Sequence, residues 1–167
     1  MADPILAPDQ RAFVAAARSA TLATIAPDGR PRLVPICFVV LGEDPAPRLY
    51  SPLDDKPKAS ADPRDLARVR DLVARPAATL LVDRWSEDWD RLGWLRLDVR
   101  AMIVEPRAGG ALDGGTEPGD HAAAVAALRA KYPQYERHRL EGRPILRFEI
   151  ERVVAWGDLA LDEARPA

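Results

Sequence analysis

The chain has 167 residues, the size of one ordinary domain, and 47% of them are apolar, enough to build a sizeable core. Its 24 basic and 26 acidic residues nearly balance, which argues against binding nucleic acid or an anionic membrane through bulk electrostatics. No apolar run approaches the roughly 18 residues that a membrane helix requires, and residues 1–4 do not begin a secretory signal. The single cysteine, Cys37, cannot form an internal disulfide. We therefore expect a cytoplasmic protein with a single domain over residues 1–167 and with neither a nucleic-acid nor a membrane partner.

The first third of the chain predicts a short helix followed by β-strands. Residues 8–18 have helical character, and residues 21–25 form a β-rich run. Pro27-Asp28-Gly29 has the residue types of a tight turn, since Pro presets φ, Asp bonds nearby backbone and Gly takes a positive φ. Residues 32–41 are apolar on both faces, which is typical of a central strand of a barrel or sandwich. A short third strand is predicted over residues 48–51.

The remainder predicts two more helices and three more strands. The helices are expected over residues 63–74 and 121–132, and the strands over 78–83, 92–105 and 145–156. In the last strand, alternation places Leu146, Phe148 and Ile150 inward and Arg147, Glu149 and Glu151 outward. Six strands with few helices, connected by hairpins, indicate a mainly β (α+β) fold built as a small antiparallel barrel. The helix over 8–18 precedes a barrel over about 20–156, and residues 157–167 form a C-terminal tail.

Several kinds of catalytic site are disfavoured by the residues that the chain lacks. It has neither a phosphate-binding loop of the Gly-x-x-x-x-Gly-Lys type nor a Gly-x-Gly-x-x-Gly motif after a strand. One cysteine and two distant histidines, His121 and His138, make a zinc site improbable. The sequence contains no nucleophile-elbow motif of the kind that presents a catalytic serine. An enzyme with this sequence would therefore rely on an organic cofactor for the difficult chemical step.

Two of the three lysines of this arginine-rich chain stand in one tripeptide, Lys56-Pro57-Lys58. Pro57 favours an extended backbone at Lys56, so that the two ammonium groups can point the same way. Such a pair beside a strand end suits a phosphate held by point charges. The alternative is a solvated loop with incidental lysines, and the spacing alone does not exclude it.

Three of the four tryptophans, Trp85, Trp89 and Trp94, fall within ten residues and alternate with charged side chains. On the strand that follows, Trp94, Arg96, Asp98 and Arg100 share one face. An aromatic and alternating charges suit a subunit interface, or a cleft in which an indole covers a planar ring and guanidinium groups meet its anionic groups. The alternative is a core tryptophan beside surface ion pairs.

Two further features allow a functional and a structural interpretation. Tyr132 and Tyr135 could include a proton donor, but the segment also suits a lid-like loop that packs on the barrel rim. Cys37, within an apolar run, is interpreted as a small core residue without a redox role.

The order of these segments resembles a known superfamily. Residues 23–31 (ATIAPDGRP) and 34–39 (VPICFV) are similar to the opening of the pyridoxamine-phosphate-oxidase-like flavin and deazaflavin oxidoreductases. Residues 55–58 (DKPK), 80–83 (LLVD) and 92–96 (LGWLR) resemble the subfamily of probable coenzyme F420-dependent enzymes known mainly from actinobacteria. The resemblance extends from about Arg11 to Trp156. One departure is that the family often has two aromatic residues where this chain has Gly93 beside Trp94.

This resemblance implies a six-stranded split β-barrel of the FMN-binding type, which forms a homodimer with cofactors in clefts between the subunits. It implies F420 as the cofactor, with FMN as the alternative, and a small organic molecule as the hydride acceptor. The resemblance places cofactor-binding residues along the ring system (Val34, Pro35, Ile36), at the phosphate (Ser51, Lys56, Lys58) and near the cleft (Trp94, Arg96). Arg68, together with Arg96, would extend a basic track toward the tail of the deazaflavin.

Three functions follow as hypotheses. The first is an oxidoreductase that transfers hydride between reduced F420 and an organic acceptor. The second is an FMN-binding oxidoreductase of the same fold. The third is a cofactor-binding protein without catalytic turnover. A basic track through Arg68 and Arg96 would favour the first hypothesis, because F420 carries a phosphodiester and an anionic tail, whereas FMN ends in a phosphate monoester. The sequence alone does not determine whether these two arginines line one groove.

Overall fold

The computed structural model describes residues 5–43, 45–53, 62–106 and 120–161. Within these ranges the chain forms seven strands and three α-helices. In chain order they are α1 (Pro8–Ala16), β1 (Ala20–Ile25), β2 (Pro31–Ile36), β3 (Val39–Leu41), β4 (Arg48–Pro52), α2 (Ala67–Ala74), β5 (Ala77–Arg84), β6 (Gly93–Val104), α3 (Asp120–Lys131) and β7 (Ile145–Gly157). Short 3-10 turns span Pro63–Asp65, Trp89–Arg91 and Pro133–Arg137. None of the helices in these ranges is long and apolar enough to span a membrane.

All seven strands belong to one antiparallel sheet in the order β2-β1-β5-β6-β7-β4-β3. The two edge strands, β2 and β3, are separated in sequence only by Cys37 and Phe38. Ile36 and Val39 therefore lie within about 11 Å of each other, the reach of three Cα–Cα steps. The sheet must curl until its two edges almost meet, which produces a half-open barrel. The expected antiparallel barrel architecture is confirmed, and this geometry is consistent with a split barrel.

The prediction of six strands is wrong, because the single strand expected over residues 32–41 is broken into β2 and β3. The hydroxyl of Tyr132 lies at the break. Phe38 N donates to Tyr132 Oη at 3.1 Å, and that hydroxyl lies 2.8 Å from the Phe38 carbonyl oxygen and 2.9 Å from that of Arg18. The side chain thus provides the hydrogen bonds that a neighbouring strand would otherwise supply. Nor is β2 a central strand: it is an edge strand, on which Leu33 is 63% exposed.

Replacing Tyr132 with Phe should test this account of the break. The substitution keeps the ring but leaves the buried Phe38 amide without its acceptor, so we expect a loss of about 1–3 kcal/mol in the free energy of unfolding. Hydrogen exchange of the Phe38 amide should also become faster. Chemical denaturation and amide exchange measure these effects, and an unchanged exchange rate at Phe38 would contradict the account.

The core has two parts, one on each face of the curled sheet. The larger part fills the barrel interior, where Leu22, Leu80, Leu95 and Leu97 are fully buried. The smaller part lies between α3 and the side of β3, β4 and β7 that faces away from the barrel interior. Its buried residues are Val39, Tyr50, Ala124, Val125, Leu128, Tyr132, Tyr135, Leu140 and Ile145.

Helix α3 also explains why one residue that was predicted to point away from the interior is nevertheless buried. Arg147 does lie on the side of β7 that faces away from the barrel interior, as alternation predicted, but only 2% of it is exposed. Its guanidinium group donates to Asp120 at 3.1 Å and to Glu149 at 3.0 Å. Asp120 begins α3 and also accepts from the Tyr50 hydroxyl at 3.1 Å. The strand pattern specifies the face, whereas a helix distant in sequence determines the burial.

Candidate cofactor site

A broad face of the sheet, opposite the barrel interior, is left open by the described helices. We call it the outer face. Its side chains alternate with the buried leucines of β1, β5 and β6, so they point away from the core. The strand register joins them into cross-strand rows. The outer face consists of Leu33, Pro35, Thr21, Ala23, Thr79, Leu81, Trp94, Arg96, Asp98, Val154 and Trp156.

One row of this face crosses five strands and connects two groups of predicted site residues. Pro35 is paired with Thr21, Thr21 with Leu81, Leu81 with Arg96, and Arg96 with Val154. Because adjacent strands are about 4.8 Å apart, Pro35 and Arg96 are separated by about 14 Å along the sheet. The predicted ring-binding strand and the predicted cleft arginine therefore lie on one continuous surface, with Leu81 between them.

The electrostatics of the outer face centre on Arg96. Its Nε lies 3.6 Å from Asp98 Oδ1, too far for a hydrogen bond, and this nitrogen is buried with no hydrogen-bond partner among the described residues. Asp98 in turn accepts from the Thr79 hydroxyl at 3.4 Å. A guanidinium donor without an acceptor is costly unless a ligand or a partner chain supplies one. The face is therefore suited to an anionic group at Arg96.

Exposed tryptophans surround one end of the outer face. Trp85, Trp89 and Trp156 are 71%, 75% and 54% exposed. Trp94 is half-buried and pairs directly with Trp156 across β6 and β7. So much exposed indole is unusual on the surface of an isolated domain and typically marks a binding surface.

Gly93 stands where the family often has an aromatic residue, and a close contact with another part of the backbone explains why this position is glycine. A Cβ on Gly93 would lie 2.1 Å from the carbonyl oxygen of Asp158, and a Cβ on Gly157 would lie 2.1 Å from that of Leu92. Gly157 also has a φ of +80°. The chain crosses itself here so closely that both positions require glycine. This crossing holds Trp94 and Trp156 side by side on the outer face.

The remaining predicted residues lie elsewhere or cannot be placed. On β2, Pro35 is exposed, Val34 half-buried and Ile36 buried. Ser51 is 2% exposed and lies on the interior side of β4, together with Leu49. Its neighbour Tyr50 pairs with Val39, so Ser51 is level with the break between β2 and β3. Ser51 thus lies at the gap between the sheet edges on the interior side, the side to which Val34 and Ile36 also point, whereas Pro35 points to the outer face.

Arg68 lies in the first turn of α2 and is half-buried. Lys56 and Lys58 lie outside the described residues. Ser51, on β4, faces the barrel interior. Trp94 and Arg96, on β6, are separated from β4 by β7 and face away from the interior. A single protomer therefore does not bring all of the predicted residues to one place.

The structure assigns structural roles to the residues near the break. Tyr132 and Tyr135 are each 1% exposed, which is in keeping with the interpretation that this segment packs on the barrel rim. Burial raises the pKa of Tyr132.

Lys131, on α3, donates to the Ala15 carbonyl at 2.9 Å and lies 4.6 Å from the centre of the Phe38 ring. Burial, assisted by Arg18, lowers the pKa of Lys131 to about 8. Cys37 is half-buried at the break rather than within a strand.

The sequence patterns did not identify an ion pair between a buried carboxylate and a half-exposed arginine at the end of the barrel. Asp71 of α2 is 5% exposed, accepts from the Thr24 hydroxyl at 2.8 Å and forms an ion pair with Arg32. The only sequence signal was an acidic residue beside the apolar positions Val69 and Leu72 of α2. Within the described ranges, no group of three or more His, Cys, Asp or Glu side chains is arranged to hold a metal ion.

A curled antiparallel sheet with its two edges adjacent is consistent with the class of split-barrel proteins. The sequence profile of the pyridoxamine 5'-phosphate oxidase family matches residues 6–157. The chain therefore belongs to this family. No curated protein is significantly similar to it in sequence.

Solved structures agree on the fold. A conserved hypothetical protein of Mycobacterium tuberculosis superposes with a TM-score of 0.64 at 21% identity, covering 94% of this chain and 88% of the other. A heme-binding protein of Mycobacterium smegmatis gives 0.61 at 20% identity, covering 94% of this chain and 56% of the other. An FAD-binding protein of Mesorhizobium loti gives 0.54 at 19% identity, covering 86% and 87%. At these identities the likeness establishes the fold alone.

Proposed function

We propose that the protein is an oxidoreductase that binds the deazaflavin F420 between two copies of the chain and transfers hydride between the reduced cofactor and an organic acceptor. The observation that carries the proposal is the outer face, where Arg96 has a buried Nε without a hydrogen-bond partner in the described ranges, next to exposed apolar side chains. A planar ligand with anionic groups satisfies both features. Membership of the pyridoxamine 5'-phosphate oxidase family is in keeping with such a cofactor.

In this proposal the residues of the chain bind and orient the cofactor. Val34, Pro35 and Ile36 lie along its ring, and Trp94 covers the ring from the other copy. Arg96 meets an anionic group, while Ser51, Lys56 and Lys58 hold the phosphate. The cofactor, when bound, supplies the two-electron chemistry. The protein excludes water from the cleft and holds the acceptor close to the ring.

A second candidate function keeps the site but changes the cofactor or removes the turnover. FMN would replace F420 in an oxidoreductase of the same fold, or the protein would bind a planar cofactor without catalysis. Solved structures of this fold include proteins described as FAD-binding and as heme-binding. Heme is the less suitable ligand for this chain. Of its two histidines, His121 bonds the Arg143 carbonyl at 2.8 Å and His138 packs edge-on against the ring of Tyr135.

Equilibrium binding of oxidised F420, reduced F420 and FMN to the purified protein tests the proposal. We expect F420 to bind more tightly than FMN. Substituting Arg96 with Gln should weaken F420 binding, whereas Arg100→Gln should not. Arg100 lies on the same strand and forms an exposed ion pair with Glu151 at 2.8 Å. Equal or tighter binding of FMN would exclude F420 as the cofactor.

Catalytic turnover needs a separate measurement. Reduced F420 mixed with the protein and menadione, a general two-electron acceptor, should return to oxidised F420 faster than without the protein. Tight F420 binding with no acceleration by this acceptor or by a panel of enones and quinones would favour the binding-only function.

We also predict an isologous homodimer formed through the outer face. The exposed side chains Leu33, Trp85, Trp89 and Trp156 would be covered there, and we expect roughly 2,000 Å² or more to be buried in total, the range of obligate interfaces. Sedimentation equilibrium at micromolar concentration should therefore give twice the 18.3 kDa chain mass. Observation of a monomer under these conditions would contradict the dimer and the shared cofactor cleft together.

A further inference from the structure

A cavity lies at one end of the barrel, between the β1–β2 turn and α2. Its volume is about 550 Å³, within the range of small-molecule binding sites. Its walls are of two kinds. Apolar atoms come from Ile25, Ala26, Pro27 and Ala74, and charged groups come from Arg32, Arg70, Asp71 and Arg75.

The charges of this cavity are unbalanced. The buried carboxylate of Asp71 is already engaged by Arg32 and by the Thr24 hydroxyl. Arg70 and Arg75 are exposed, and neither has an ion-pair partner within the described ranges. Three guanidinium groups against one carboxylate leave two positive charges beside the apolar wall. A dianion with an apolar body would complement both.

The cavity is separate from the outer face. Arg32 and Leu33 are neighbours on β2, so their side chains point to opposite sides of the strand. Leu33 belongs to the outer face, while Arg32 is directed to Asp71 of α2. Arg70 lies two residues after Arg68, so the two side chains project from different sides of α2, and Arg75 directly follows the helix. The proposed cofactor site uses none of these three arginines.

We propose that this cavity is a second binding site, for a small organic dianion whose apolar part packs between the turn and α2 while its anionic oxygens contact Arg70 and Arg75. Asp71 has a positioning role, because its bond to Arg32 fixes one cationic wall of the cavity and leaves the other two arginines to the ligand. The ligand class is a phosphate monoester or a dicarboxylate with an aromatic or aliphatic body.

The probes for this site are phenyl phosphate, phthalate, benzoate and inorganic phosphate, titrated at pH 7.5 and low salt into the uniformly 15N-labelled protein. Phenyl phosphate is mostly a dianion there, since its second pKa is about 6. We expect it to shift the amide signals of residues 25–32 and 70–75. The double variant Arg70→Gln, Arg75→Gln should weaken binding about tenfold, as two solvent-exposed charge contacts allow. Arg137 is an exposed arginine on another segment, so the Arg137→Gln variant should bind phenyl phosphate as tightly as the wild type does.

The outcomes separate this site from the cofactor site. Tighter binding of phenyl phosphate than of phthalate identifies a phosphate ester as the ligand class, and the reverse identifies a dicarboxylate. Benzoate or inorganic phosphate binding as tightly as either dianion would contradict the stated ligand. Shifts confined to other residues, or equal weakening in the Arg137 variant, would overturn the site. F420 binding should be the same in the double variant and the wild type, so failure of either proposal leaves the other testable.

Discussion

The Gly157→Ala variant should lose about 3 kcal/mol or more of its free energy of unfolding, a large share of the total stability of a small domain. Two costs add at this position. A left-handed backbone conformation costs a residue with a Cβ about 1–2 kcal/mol, and Gly157 has a φ of +80°. The new Cβ would also lie 2.1 Å from the Leu92 carbonyl oxygen, and overpacking of this kind costs about 1–3 kcal/mol.

Two other glycines separate these costs. Gly29 has a φ of +84° but open space around its Cβ position, so Gly29→Ala should lose only about 1 kcal/mol. Gly93 does not have a positive φ but would place a Cβ 2.1 Å from the Asp158 carbonyl oxygen, so Gly93→Ala should report the steric cost. Urea denaturation of the three variants measures the differences. A Gly157→Ala variant no less stable than Gly29→Ala would show that the chain crossing is looser than described.

Replacing Lys56 or Lys58 with Ala should weaken cofactor binding by about 10- to 150-fold. This range corresponds to the loss of a charge-assisted contact of roughly 1.5–3 kcal/mol with a phosphate. The melting temperature should hardly change, because the sequence predicts no structural role for either lysine and surface substitutions usually alter stability by less than about 0.5 kcal/mol. Arginine at either position should restore binding only in part, since a planar fork does not reproduce a compact point charge. Titration with F420 at two salt concentrations measures the effect.

The structure decides which side chain can serve as the control for this experiment. Lys131, the third lysine, is unsuitable, although a lysine on a helix surface would seem neutral. It is half-buried, donates to the Ala15 carbonyl and lies over the Phe38 ring, so its loss should reduce stability. Arg137 is exposed and makes the better control. If the Lys56→Ala and Lys58→Ala variants both bind F420 as tightly as the wild type does, the phosphate-site hypothesis is wrong and the two lysines are incidental.

Much of the secondary structure was predictable from local patterns. The long strand expected over 92–105 is Gly93–Val104, and the last one, expected over 145–156, is Ile145–Gly157. The turn at Pro27-Asp28-Gly29 forms as predicted: Gly29 N donates to the Ala26 carbonyl at 2.9 Å, and Gly29 has a positive φ. These features depend on residues close in sequence, through side-chain alternation and turn chemistry, so a single sequence contains the required information.

The candidate site was predictable only in part. Alternation correctly placed Trp94, Arg96 and Asp98 on one face, and the resemblance identified the family. Neither indicated that Ser51 lies on the interior side of the sheet, because the side of a short strand that faces the core depends on how the sheet curls. The pairing of Asp71 with Arg32 was likewise hidden, since 39 residues separate the partners.

The sequence by itself determined that this is an antiparallel β protein of one family, with an apolar β2 and an aromatic, charged β6. The tertiary structure alone decided that β2 ends at Ile36, that Arg147 is buried and that residue 93 must be glycine. Each of these depends on atoms distant in sequence: the Tyr132 hydroxyl, helix α3 and the Asp158 carbonyl. Periodicity reports which side of a strand a residue occupies, but the segment that covers that side is brought there only when the sheet closes on itself.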